Sequence, residues 1–133
     1  MDYGVDLGKE ELTEEDHDKI IEATTKIIET RIVDDITITE KETWIAHHDR
    51  GISYYSKMQF DKAIQDFSKA IELMPDDDSA YFMRAASYYM FYRHDEALMD
   101  AKKALEFDKT NEKYQSFVSE ITEILEKANS PHK

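Results

Sequence analysis

The chain has no cysteine. A disulfide framework, a thiolate metal site and a cysteine nucleophile are therefore excluded. The lack leaves the compartment open, because a chain without thiols suits any redox environment. Glycine and proline are scarce, with 3 and 2 among 133 residues. Sheets built on tight turns need more of both, so the scarcity favours long helices. No apolar run approaches the roughly 20 residues that span a bilayer. The N-terminus is acidic and lacks the basic start and apolar stretch of a secretory signal. A soluble cytoplasmic protein is the expectation. Positive charge is also short. Lys and Arg number 17 against 30 acids, for a formal net charge of −13. Such a chain repels phosphate backbones and anionic lipid, so nucleic acid and membrane surfaces are poor partners.

At 41% hydrophobic and 35% charged residues, the chain has the composition of one globular domain with a modest core. The acids are unevenly spread. Residues 1–18 hold eight (Asp2, Asp6, Glu10, Glu11, Glu14, Glu15, Asp16, Asp18) against Lys9 alone. Residues 1–12 show no periodic apolar pattern and read as a flexible acidic arm. It suits either a basic partner or a solvated terminus.

The strongest positive signal is self-similarity at an offset of 34 residues between 44–77 and 78–111. Arg50 overlays Arg84, Gly51 overlays Ala85, and Ser53-Tyr54-Tyr55 overlays Ser87-Tyr88-Tyr89. Ala63, Asp66 and Lys69-Ala70 overlay Ala97, Asp100 and Lys103-Ala104. A unit of this length is one helical hairpin, which buries its apolar face only by stacking on neighbours. Gly51, Ala63, Ala70, Ala85, Ala97 and Ala104 are small where helices must approach closely, and Tyr54, Phe67, Tyr81 and Tyr88 fill the gaps.

Six helices are expected. Ile20, Ile21, Ala23, Thr24, Ile27 and Ile28 form an apolar stripe at helical spacing over about 14–31, with Thr13 and Asp16 placed to cap its start. Residues 32–39 are rich in β-branched residues without a pairing partner. They read as an extended linker, with domain exchange between two copies as the alternative. Thr39 and Glu42 form a capping-box pattern for a helix to about Lys57. Helices follow over about 60–73, 79–92, 94–107 and 112–127, and residues 129–133 are a tail. Residues 13–39 thus form an N-terminal helix and linker, and 40–128 form the repeat domain. The helices at 14–31 and 112–127 cap its two ends.

The aligned residues resemble the tetratricopeptide repeat. In the first repeat Gly51, Tyr54, Ala63, Phe67, Ala70 and Pro75 fall on the family pattern, and in the second Tyr81, Ala85, Tyr88, Ala97 and Ala104 do. His47 stands where a large aromatic is usual, Arg50 where Leu is common, Ala101 in place of the aromatic and Lys109 in place of the proline. The resemblance implies an all-α, helical-hairpin superhelical stack whose first helices line a concave groove. Carried over by position, the groove residues are Ile45, His48, Ile52 and Tyr55, then Phe82, Ala86, Tyr89 and Met90. Lys113, Ser116 and Phe117 extend it. Phe82 and Tyr89 read equally well as groove or as covered core. One subgroup of the family grips acidic chaperone tails with Lys and Asn; here those positions hold His48, Ile52 and Met83 or Ala86. The implied role is a non-catalytic adaptor for an apolar or basic segment of a protein partner, without a cofactor. The alternative is an assembly unit, such as a homodimer, whose groove is filled by its own or a neighbouring copy's N-terminal helix.

Residues for catalysis do not assemble in the sequence. His47 and His48 point about 100° apart on a helix and do not converge on a metal. His17 has only Asp16 and Asp18 beside it. Ser53, Ser56 and Ser87 have no base at a supporting spacing, and no glycine-rich phosphate loop is present. Neither a catalytic nor a metal site is expected.

Overall fold

The structure, a computed structural model, describes residues 3–30 and 39–130. Among these residues there are six helices and no strand. The stretch read as an extended linker at 32–39 lies, but for Thr39, outside the described residues. Contacts divide the chain into two units, Met1–Pro75 and Asp76–Lys133.

The first unit holds α1 (Glu14–Glu29), α2 (Glu40–Ser56) and α3 (Phe60–Leu73). Both expected capping boxes form. The Thr13 hydroxyl accepts from the Asp16 N–H while the Thr13 N–H donates to Asp16, and Thr39 and Glu42 do the same. Each box satisfies two orphan amides at a helix start. Lys9 and the Thr13 N–H hold the Asp16 carboxyl down to about 2. Helix α2 packs against α3 on one side and α1 on another. Phe67 of α3 is fully buried over Gly51 of α2. Arg50 closes the same hairpin with a two-pronged pair to Asp66, at 2.8 and 2.7 Å. His47 adds a 3.0 Å contact to the same carboxylate.

The second unit holds α4 (Asp78–Met90), α5 (His94–Phe107) and α6 (Glu112–Ala128). Asp77 and Asn111 cap α4 and α6 by accepting from the N–H groups of Ala80 and Tyr114. The core joins Ala85 of α4, Ala97 and Ala101 of α5 and Ile121 of α6, with Tyr88, Tyr89, Leu98, Phe117, Val118 and Leu125 packed around them. Arg84 pairs with Asp100 at 2.7 and 2.8 Å, repeating the Arg50–Asp66 clamp 34 residues on. All six small residues expected at helix crossings are buried.

Helix α4 begins one residue earlier and ends two residues sooner than its periodicity predicts. Its end is set by Tyr92, which takes a left-handed φ of 59° that no α-helix can contain. Met58, the equivalent residue between α2 and α3, does the same with φ 62°. From these two residues α3 and α5 start and stop at equivalent positions, Phe60 with His94 and Leu73 with Phe107.

Candidate functional site

The candidate groove residues are distributed over both units. In the first, Ile45, His48, Ile52 and Tyr55 recur at three- and four-residue spacing along α2, and all four are half-buried. At 3.6 residues per turn they share one side of the helix. His48 sets its ring edge-on to Phe67, with centroids 6.0 Å apart, and Tyr55 meets Phe60 edge-on at 5.3 Å. Helix α1 uses nearly the opposite side of α2. Arg50 donates to Thr25 at 3.1 Å, Ser53 meets His17 at 3.0 Å, and Lys57 pairs with Asp18.

In the second unit α4 and α6 bring three of the expected aromatics together. Phe82 stacks on Tyr114 at 5.0 Å and meets Phe117 at 5.4 Å, and Tyr89 meets Phe117 at 5.5 Å. The Lys113 ammonium lies 4.9 Å above the Phe82 ring. Ala86 lies between Phe82 and Tyr89 in the sequence of α4 and is half-buried, and Met90 is 41% exposed. Phe82, Tyr89 and Phe117 are half-buried, so each keeps part of its surface open to solvent. The Tyr89 hydroxyl donates to Glu120 at 3.3 Å, and burial together with that carboxylate raises its pKa. Tyr114 is more enclosed. Burial and its 2.7 Å bond to Asp78 hold the phenol protonated well above the usual tyrosine range. The cluster is thus an uncharged aromatic surface edged by Lys113 and Glu120, suited to apolar contact and cation–π or hydrogen-bond recognition.

Three polar arrangements were not named from the sequence. The Arg50–Asp66 and Arg84–Asp100 pairs were legible in principle, since both partners recur at the 34-residue offset with one internal spacing of 16. His17 reaches Ser53 across 36 residues, so the fold supplies a base that local spacing does not. Ser53 is 1% exposed within α2. The pair lines a small cavity of about 120 Å³ beside Ile20 and Ile52, but the helix amides around Ser53 are committed to the backbone ladder and offer no oxyanion donors. Tyr3 donates to Asp49 across 46 residues and is buried. Residues 3–12 form no helix, yet this contact ties them to α2.

Among the described residues, no group of three or more His, Asp or Glu side chains is placed to hold a metal ion. His47 is engaged by Asp66. A concavity of about 560 Å³ at the start of α1 is lined by Glu10, Glu11, Glu14, His17, Ser56, Lys57 and Met58, apart from the candidate residues. No helix of the described residues is long and apolar enough to cross a membrane.

A family model for the tetratricopeptide repeat matches residues 44–77. A search of curated proteins found no match. Among solved structures, the chain is similar to the first tetratricopeptide-repeat domain of Spaghetti (RPAP3) bound to the HSP90 peptide SRMEEVD. The TM-score is 0.71 at 21% identity, covering 82% of this chain and 79% of that one. It is also similar to the second such domain of human RPAP3 in complex with the HSP70 peptide SGPTIEEVD. There the TM-score is 0.69 at 19% identity, covering 82% and 83%. Residues 44–77 are therefore a tetratricopeptide repeat, and the chain around them has the all-α, helical-hairpin fold of a tetratricopeptide-repeat domain.

Proposed function

We propose that the chain is a non-catalytic adaptor that binds a segment of a partner protein through apolar and aromatic faces on its first-of-hairpin helices. One face is Ile45, His48, Ile52 and Tyr55 on α2. The other is Phe82, Ala86, Tyr89 and Met90 on α4 with Phe117 on α6. The observation that carries this reading is the Phe82, Tyr89 and Phe117 cluster, three large rings packed on the core that each keep a minor part of their surface open to water. Contiguous exposed apolar surface of that kind marks an interaction site. The placement of α1 on the far side of α2 supports an adaptor over a chain that plugs its own face with that helix. The solved relatives hold peptides, which fits the same role.

Their peptides are acidic. Here His48, Ile52, Met83 and Ala86 replace the cations such a grip needs, and the chain carries −13 overall. The partner segment in this reading is apolar or basic, and the place of action is the cytoplasm. A peptide-display selection on the intact chain tests it. Selected peptides are expected to be aromatic or aliphatic, and to outbind SRMEEVD and SGPTIEEVD. Tyr89→Ala and Phe117→Ala should each weaken them at least tenfold (about 1.4 kcal/mol) with the helical circular dichroism unchanged. Parent-like binding by both variants would remove the basis of the reading.

A further inference from the structure

Residues 3–12 lack helix or strand, yet they are seated. Tyr3 is 7% exposed, and its hydroxyl donates to Asp49 of α2, one residue from His48 and three from Ile52. Lys9 pairs with Asp16 and fixes the other end of the segment to the start of α1. Around these anchors, Tyr3, Leu7 and Leu12 share with Ile20, Ile52, His17, Asp49 and Ser53 the lining of a mainly apolar cavity of about 120 Å³, and Leu7 stays 53% exposed. Protein interiors are close-packed, with few voids larger than a water molecule. The segment therefore occupies this edge of the α2 face without filling it. A strip held by a few side-chain contacts, with no ladder of its own, belongs to the parts of a protein that open locally at low cost.

We propose that residues 3–12 are a tethered occupant of the α2 face. The outside partner of this face is then an extended segment of like chemistry, which sets a tyrosine hydroxyl on Asp49 and an aliphatic side chain over Ile52. The inference rests on the adaptor reading above and specifies its ligand. The tether gives residues 3–12 a high effective concentration at the face. A partner displaces them by filling the cavity that Leu7 and Leu12 leave, which adds apolar burial the tethered segment does not have.

The test uses the full chain and a labelled synthetic peptide of residues 1–12. Tyr3→Ala should free the face, so this variant binds the peptide at least tenfold more tightly than the parent does. Adding Asp49→Ala, which removes the acceptor, should abolish the gain. A peptide with phenylalanine at its third position should bind more weakly than the parent peptide. Equal peptide binding by parent and Tyr3→Ala overturns the proposal. So does no binding to Tyr3→Ala at millimolar peptide. Either result leaves the adaptor reading to stand or fall on Tyr89→Ala, which lies in the other unit and outside this contact.

Discussion

Phe67 sets how closely α2 and α3 approach. A Cβ built on Gly51 would sit 2.8 Å from the Phe67 ring, with two further ring atoms at 3.0 Å. Phe67 is fully buried and has no free direction in which to swing. At the equivalent place in the second hairpin the ring is Ala101 and the small residue is Ala85, both fully buried. The two pairs trade volume across one crossing. Gly51→Ala should therefore destabilise, because overpacking costs about 1–3 kcal/mol while alanine regains about 1 kcal/mol of helix propensity. The expected net loss is about 1 kcal/mol, read from urea midpoints. Phe67→Leu in the same chain should recover part of it. A rise in stability from Gly51→Ala alone would show that the ring yields. Both residues stood on the repeat pattern in the sequence, as did Ala85 and Ala101. Their size compensation did not, because it is a contact between helices and has no local periodicity.

Each hairpin turns on a residue that sequence preference argues against. Met58 and Tyr92 are 71% and 84% exposed, and both hold the left-handed conformation. That conformation costs a non-glycine residue roughly 1–2 kcal/mol, and little packing repays it at such exposure. Tyr92→Gly and Met58→Gly should each stabilise the chain by about 0.5–1 kcal/mol, after the extra backbone entropy of glycine is deducted. Thermal melts should rise by a few degrees. A fall would mean that the Tyr92 ring, 6.2 Å from His94, holds the turn. The helices themselves were legible from apolar spacing and capping residues, and α3 and α5 begin and end where expected. The end of α4 was not. Met-Phe-Tyr continues a good apolar pattern, and only backbone conformation stops it.

On the scale of the whole chain, the charge of −13 works against compactness. Exposed pairs such as Lys19–Glu15 and Lys26–Glu22 offset little of it. Raising NaCl from about 20 mM to about 300 mM brings the Debye length below roughly 10 Å, so the melting temperature should rise by a few degrees. A fall would show that ion pairs outweigh the repulsion. The residues of the two proposed faces come from their position in the repeat. The sequence did not reveal the contact from Tyr3, since a bond across 46 residues leaves no trace in composition or spacing. The volume trade between Gly51–Phe67 and Ala85–Ala101 also bears on how such a chain can diversify. An unequal crossover joining α2 to α5 would pair glycine with alanine and leave a hole. The reverse product would drive an alanine methyl into a ring. Recombination within the chain preserves both fits only when its breakpoints fall between hairpins, so each hairpin is inherited whole.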